Sequence, residues 1–310
     1  MKEQFVICLS GPTASGKTDL ALTLVESLPC EIISVDSGMV YRGMDIGTAK
    51  PKPQILEQIP HHLIDICDVA EPYSAARFRL DALKLINMIL ARDRIPLLVG
   101  GTMLYFRVLQ QGISVLPQAN QKIRAQLTAE AKQNGWQKLH ERLSQIDPVA
   151  AKRISPNDSQ RLQRALEVYF ITGETLTDLQ KENPGQPLLF PVINFALIPQ
   201  NREELNVRIG GRFKQMLKDG LVAEVKQLFN RGDLNCNLPS MRSVGYRQVW
   251  QYLNGEVDYS TMQEKAIIAT RQLAKRQMTW LRSWPNIILF DSNDLKVKEK
   301  ILRYLEKIPM

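Results

Sequence analysis

The sequence predicts an α/β protein: a parallel sheet core flanked by helices, with an all-helical insertion domain. Three observations predict it. Short apolar runs alternate with helix-patterned stretches near both ends of the chain, the rhythm of a parallel sheet. Residues 11–18, GPTASGKT, join the first such run to the first helix pattern as a glycine-rich turn. Residues 117–186 carry helix patterns and turns but no convincing strand.

The elements follow in order. Residues 5–10 (FVICLS) read as a buried strand. The helix after it places Leu20, Ala21, Leu24, Val25 and Leu28 on one face. Residues 31–36 (EIISVD) form a second strand that ends in a carboxylate. A helix is expected over 73–92, with Ser74 as its cap and Phe78, Ala82, Ile86 and Ile89 facing inward. Residues 95–99 (IPLLV) make a third strand, and 192–198 (VINFALI) and 286–290 (NIILF) resume the pattern, with long helices between them. Proline and glycine bracket the middle segment in GISVLPQAN and NPGQP. The expected division is a core of 1–116 with 190–310, and a helical insertion of 117–189.

Composition bounds the function. The 310 residues carry 44% hydrophobic and 23% charged residues, as a globular protein does. A net charge of +8 suits a polyanionic partner and equally an ordinary soluble surface. The four cysteines, Cys8, Cys30, Cys67 and Cys236, have neither zinc spacing nor a disulfide frame and read as reduced thiols. No run approaches a membrane span, and the first apolar run stops too soon for a secretory signal. A cytoplasmic, monomeric protein is expected. His61, His62 and His140 lack ligand spacing and read as packing residues, as do Trp136, Trp250, Trp280 and Trp284.

The segment Gly11, Pro12, Thr13, Ala14, Ser15, Gly16, Lys17 and Thr18 is a phosphate loop. Its glycines let successive amides turn inward, and the following helix adds its positive end. Lys17 supplies a point charge and Thr18 a hydroxyl for Mg2+. The core is therefore P-loop NTPase-like. The loop reads phosphate, not base or ribose, so any diphosphate satisfies it. Asp36 stands where a nucleotide hydrolase keeps a magnesium-binding carboxylate, and it also suits a helix cap or a base. The third strand ends instead in Gly100-Gly101-Thr102, and Thr102 taken alone is a cap.

Two further loops leave strand ends, where α/β sheets place their ligands: DSGMVYRGMDIGTAKP at 36–51 and VGGTMLYF at 99–106. With them come NDSQRLQRALEVY (157–169), RSVGYRQVWQYL (242–253) and ATRQLAKRQMTWLR (269–282). In order and at these lengths, the set closely resembles the tRNA dimethylallyltransferases, also called tRNA isopentenyltransferases, from about residue 5 to 284. It resembles the bacterial form, because the chain ends soon after the last motif without the zinc-finger extension of eukaryotic relatives.

The resemblance implies transfer of a dimethylallyl group from dimethylallyl diphosphate to the exocyclic amine of the adenosine 3′ of the tRNA anticodon (position 37). It assigns Asp36 the role of base, as a carboxylate beside a poor nucleophile can orient it and take its proton. It places the Thr102 hydroxyl near the same amine. It puts the diphosphate on residues 11–18, with Lys17 and Mg2+ neutralising the leaving group and Arg212 as a further cation. Where many members carry Gln, this chain has Met39, which can pack or stack against a base.

The implied partner is the tRNA anticodon stem-loop. The stretch 242–282 holds Arg242, Arg247, Lys265, Arg271, Lys275, Arg276 and Arg282 against Glu256, Asp258 and Glu264, half the surplus positive charge of the chain. On a helix Arg271, Lys275 and Arg282 fall within about 40° of each other, a stripe that suits a phosphate backbone. Arg161 and Arg164, with Arg124, add a basic group on the insertion, which is expected to close over the loop. The implied RNA contacts are Asp36, Ser37, Gly38, Met39 and Thr102. They include Arg124, Gln160, Arg161, Leu162, Gln163 and Arg164 on the insertion. The remainder are Arg242, Ser243, Val244, Gly245, Tyr246, Arg247, Arg271, Lys275, Arg276, Gln277 and Arg282. A P-loop small-molecule or nucleoside kinase, or an RNA-binding ATPase, shares the phosphate loop and Asp36, but the kinase leaves the basic stripe unexplained.

Overall fold

Where a strand is apolar at every position, it has to be covered on both faces, and that requirement lays out the protein. The structure is a computed structural model and describes residues 4–307; positions 1–3 and 308–310 of the expected core lie outside them. Its strands are β1 (Val6–Ser10), β2 (Cys30–Val35), β3 (His61–His62), β4 (Ile95–Gly100), β5 (Val192–Ile198) and β6 (Ile287–Asp291). They form one sheet in the order β3-β2-β4-β1-β5-β6, with every pairing parallel.

The first compact unit is residues 4–110 with 188–307. Its helices before the break are α1 (Lys17–Val25), α2 (Pro53–Gln58), α3 (Ala75–Leu90) and α4 (Met103–Gln111). The second unit is 111–187, with α5 (Gln121–Ile146), α6 (Pro148–Arg153), α7 (Ser159–Thr172) and α8 (Leu176–Glu182) and no strand among them. The first unit then resumes with α9 (Arg202–Lys218), α10 (Leu221–Phe229), α11 (Tyr246–Leu253), α12 (Tyr259–Arg282) and α13 (Val297–Leu305).

Alternate strand residues enter two different cores, as the two-residue period requires. Ile7, Leu9, Ile32 and Leu97 join Leu24 of α1 and Ile301 of α13 on one face. Val6, Cys8, Ile33, Val35 and Leu98 join Phe78, Ile86 and Phe106 on the other. Each such side chain contributes about 1.5–3 kcal/mol when fully buried. Ser74 caps α3 by accepting from the Arg77 amide, and Phe78, Ala82, Ile86 and Ile89 all face inward.

The insertion has its own core, in which Leu139, Leu143, Ala150, Leu162 and Leu166 are packed together. Its first helix is broken at Gly135, whose φ of 79° no helix interior adopts. Asn120, Asp147, Asp158 and Thr175 each cap the helix that follows.

Strand β3, at His61–His62, is not among the strands expected from the sequence. Ile32 and Ile33 pair in parallel with His61 and His62, and His62 Nε2 lies 2.9 Å from Glu31 Oε2. Two histidines carry no apolar alternation, so a strand made by backbone pairing alone leaves no pattern in sequence.

Glycine sets how closely the strand ends approach. At Gly100 a Cβ would overlap the Val35 carbonyl. At Gly11 it would stand 2.6 Å from the Leu197 oxygen and 2.7 Å from Ser15 Oγ. At Gly100 the two nearest atoms are the backbone oxygen and carbon of Val35, which cannot step aside without parting β2 from β4. Gly100→Ala is therefore expected to cost about 1–3 kcal/mol or more. The check is the urea midpoint at unchanged m-value, compared with wild type.

Candidate active site

Three loops leave the carboxyl ends of β1, β2 and β4 and meet at one cavity of about 530 Å³. The phosphate loop follows β1. Ala14 (φ 62°) and Gly16 (φ 84°) reverse the chain, and the Ser15 amide closes on the Pro12 carbonyl at 3.3 Å. Gly11, Pro12, Ser15 and Gly16 shape this turn from behind, while Thr13, Ala14, Lys17 and Thr18 line the cavity. Lys17 Nζ donates to the Pro12 carbonyl at 3.1 Å. The Ser15 hydroxyl is buried and has no hydrogen-bond partner among the described residues.

The loop after β2 brings in Asp36, Ser37, Gly38 and Met39. Asp36 Oδ1 accepts from the amides of Gly38 (2.8 Å) and Met39 (3.3 Å), which fixes the carboxylate plane. Its other oxygen has no hydrogen-bond partner among the described residues and belongs to the cavity wall. Met39 packs its sulfur 3.9 Å from the Ser34 hydroxyl. The loop after β4 brings Thr102, whose amide donates to the Val35 carbonyl at 3.2 Å. Its Oγ1 accepts from the Ser37 amide at 3.0 Å, so the Thr102 hydroxyl joins two loops, while its carbonyl accepts from the Tyr105 amide of α4 at 2.9 Å.

Charge is concentrated in this space. Burial pushes Lys17 down to about 8, partly offset by Asp36 and reinforced by Arg212. Burial likewise lowers Arg212, against the pull of Asp36 and Asp19. Lys17, Arg212 and Asp36 thus feel one another across a single cavity. Two cations held in a poorly solvated cleft create a demand for an anion, and a diphosphate meets it.

Gln277 ties the site together from α12. Its Oε1 accepts from the Thr13 amide at 2.9 Å, and its Nε2 donates to the Gly101 carbonyl at 2.8 Å. Sequence grouped it with the RNA contacts. Its amide is buried, both of its ends hold the phosphate loop beside the β4 loop, and the side chain lines the cavity as well.

The other expected residues separate into groups. Arg242, Ser243, Val244, Gly245, Tyr246 and Arg276 line the cavity. Tyr246 is fully buried and gives its hydroxyl to Glu224, so it offers a ring edge and no free donor. Arg247, Arg271, Lys275 and Arg282 are exposed and do not line the cavity.

Arg124, Gln160, Arg161, Leu162, Gln163 and Arg164 belong to the insertion. Leu162 is 0% exposed in the insertion core and cannot touch RNA, because it supplies the apolar face that packs α7. Arg124 and Arg164 both pair with the buried carboxylate of Glu167, at 2.8 and 2.6 Å, which holds that carboxylate below the usual range despite its burial. Gln163 donates to the Arg124 carbonyl and the Thr128 hydroxyl, whereas Arg161 is largely exposed.

Other cavity residues were not anticipated. Ile209, Phe213 and Met216 form an apolar wall beside Arg212. Their spacing along α9 is a helical face visible in the sequence, but nothing there shows which way that face points. His61 and Trp280 also line the cavity, and Arg107 stacks over the Trp280 ring at 5.8 Å.

Replacing Gln277 by Leu removes both partners of a buried amide and carbonyl while keeping the volume. It is expected to cost about 1–3 kcal/mol. Hydrogen exchange at Thr13 should accelerate in the variant, and protection as strong as wild type would overturn the pinning role.

The family described as IPP transferase matches residues 39–284. A tRNA dimethylallyltransferase of Coxiella burnetii is 57% identical over 309 residues, spanning 100% of this chain and 99% of that protein. The tRNA isopentenylpyrophosphate transferase of Bacillus halodurans superposes with a TM-score of 0.71 at 37% identity, covering 98% of this chain and 95% of that one. A eukaryotic dimethylallyltransferase whose structures describe it acting on tRNA superposes with a TM-score of 0.81 at 26% identity, over 99% of this chain and 81% of that one. Identity of this extent across the full length, with the family match over 39–284, makes the chain a member of the tRNA dimethylallyltransferase family.

Proposed function

We propose that this protein transfers the dimethylallyl group of dimethylallyl diphosphate to the exocyclic amine of the adenosine 3′ of the tRNA anticodon (position 37), releasing diphosphate. The observation that carries the reading is the convergence of Asp36, Lys17 and Arg212 on one cavity, close enough for each charge to act on the others. A carboxylate and two cations that share one cavity suit a nucleophile that loses a proton and a leaving group that gains charge. The relatives named for this activity support the same reading. No observation favours a kinase or an RNA-binding ATPase.

In the proposed reaction the amine electron pair forms the nitrogen–carbon bond as the carbon–oxygen bond to diphosphate breaks. The departing oxygen takes that bonding pair, and the amine proton passes to the free oxygen of Asp36. The fixed plane of Asp36 aims that oxygen, since its partner is bound by two amides. Thr102, half-buried beside Ser37, holds the amine through its hydroxyl. Lys17, Arg212 and the loop amides stabilise the diphosphate as its charge grows.

Magnesium fits this site. Thr18 and Asp36 offer hard oxygen donors to the cavity. Among the described residues no cluster of three or more His, Cys, Asp or Glu could hold a metal by itself. Thr18 would hold the ion, which would draw most of its ligands from diphosphate and water and add charge neutralisation at the leaving group.

The target adenosine has to leave its stack to reach Asp36, and an anticodon loop makes that inexpensive. Exposed Arg271, Lys275 and Arg282 on α12 are proposed to carry the phosphate backbone. No helix among the described residues is long and apolar enough to cross a membrane. The four cysteines are free thiols, which supports action in a reducing compartment, proposed to be the cytoplasm. A monomer is proposed.

The test follows label from dimethylallyl diphosphate into unmodified tRNA with adenosine at position 37, in the presence of magnesium. Wild type should transfer, and Asp36→Ala should lose about 10²- to 10⁴-fold in rate. Turnover of ATP without label in RNA would overturn the reaction, and full transfer by the variant would remove Asp36 as base.

A second test uses the depressed Lys17. The free protein loses that positive charge as pH rises through about 8. Affinity for dimethylallyl diphosphate should therefore weaken from pH 7 to 9.5 in wild type. In Lys17→Met it should start weaker and stay flat, so the two titrations converge at high pH. Parallel curves would contradict the assigned contact.

A further inference from the structure

Glu224, on α10, lies in none of the motifs that identify the family, yet its carboxylate accepts four hydrogen bonds from two of the segments around the cavity. Its Oε2 accepts from the amides of Asp45 (3.1 Å) and Ile46 (2.7 Å). Its Oε1 accepts from the Gly47 amide at 3.2 Å and from the Tyr246 hydroxyl. Burial and the Glu224 carboxylate hold the Tyr246 phenol protonated, well above its ordinary range. One carboxylate thus gathers three consecutive amides and a buried phenol, each a charge-assisted bond stronger than a neutral one.

These contacts lead to Asp36. A Cβ on Gly47 would collide with the Tyr246 ring, so the turn is pressed flat on that aromatic. Thr48, next in the chain, donates its hydroxyl to the Met44 carbonyl at 2.7 Å and turns its methyl to Gly38, where a Cβ would sit 2.9 Å from it. The Gly38 amide is a partner of Asp36 Oδ1. From Glu224 to Asp36 every link is a hydrogen bond or a contact with no spare space. Gly47, Thr48 and Tyr246 themselves line the cavity.

We infer that Glu224, with Tyr246, is a positioning pair that sets the angle of the Asp36 carboxylate, acting through the 45–48 turn. It does not reach the reacting atoms. It fixes the wall against which the Asp36 loop is packed. The inference rests on the proposed reaction, in which Asp36 takes the proton. A displacement of about 1 Å in such a group costs on the order of 100-fold in rate. The diphosphate side, built on Lys17 and Arg212, is separate from this chain of contacts and should be spared.

The experiment measures single-turnover transfer by the full chain, with the Kd of dimethylallyl diphosphate determined alongside. The variants are Glu224→Gln, Glu224→Asp, Tyr246→Phe, Asp36→Ala and the double variant Asp36→Ala with Glu224→Gln. Glu224→Gln is expected to lose about 30- to 100-fold in the transfer rate with donor Kd within twofold. Tyr246→Phe, a milder change that keeps the ring, should lose less, and Glu224→Asp should recover part of the rate.

In the Asp36→Ala background, Glu224→Gln should add less than twofold, because a positioning residue has nothing left to position. Losses that multiply in the double variant, or that follow the fraction of donor-binding sites, indicate a merely structural role and overturn the inference. Transfer by wild type with all Glu224 and Tyr246 variants within twofold of it also overturns the inference and leaves the reaction standing. Absence of transfer by wild type overturns the reaction and this inference with it.

Discussion

The close approach of the strand ends at glycine is the constraint on which the site depends. Val35, Gly100 and Gly101 pack with no room for a side chain, and Gly11 lies against the Leu197 carbonyl. This brings the loops after β1, β2 and β4 within reach of one another. Thr102 can then meet Ser37, and Gln277 can bridge Thr13 to Gly101. A single methyl at Gly100 would separate the loop carrying Asp36 from the loop carrying Thr102. The cavity is a consequence of backbone packing first and of side-chain chemistry second.

The electrostatics follow from that enclosure. Lys17 and Arg212 would be ordinary cations on an open surface. Crowded together with limited water, both become easier to deprotonate, and Asp36 only partly offsets it. The proposed diphosphate would relieve a cost already built into the fold, which is how a preorganised site differs from a flexible cluster of charges. The opposite design governs Glu167 in the insertion. There two arginines are satisfied by one buried carboxylate, and those charges serve the stability of the helical unit more than recognition.

Much of this was readable in the residues. The buried runs of β1, β2 and β4, the Ser74 cap and the inward face of α3 follow from period and propensity, because packing and local preference agree there. Residues 11–18 and Asp36 could be placed at strand ends before any coordinates. What stayed hidden is what depends on tertiary direction. Glu224 is one acid among 32 Asp and Glu, and only its neighbours make it different. Leu162 shares a motif with exposed Arg161, and a motif does not state which of its members face inward. The β3 pairing at His61–His62 is made by backbone alone, and Gln277 acts through an amide whose two partners lie far away in the chain.

The position of β5 in the sheet also has a bearing on synthesis. Strand β1 is made well before β5, yet Ser10 Oγ donates to a Phe195 carbonyl that is 185 positions later. The phosphate loop leans on Leu197 of that same strand, and its pin, Gln277, comes later still. The insertion, in contrast, draws its core from residues close in sequence, a low contact order that favours rapid formation. On the ribosome the helical unit has all its partners while the first strand still waits for a neighbour. The earliest motif of the chain to emerge is thus among the last to acquire its working shape, and until then the open edge of β1 is the part of the nascent protein that most needs protection from mispairing.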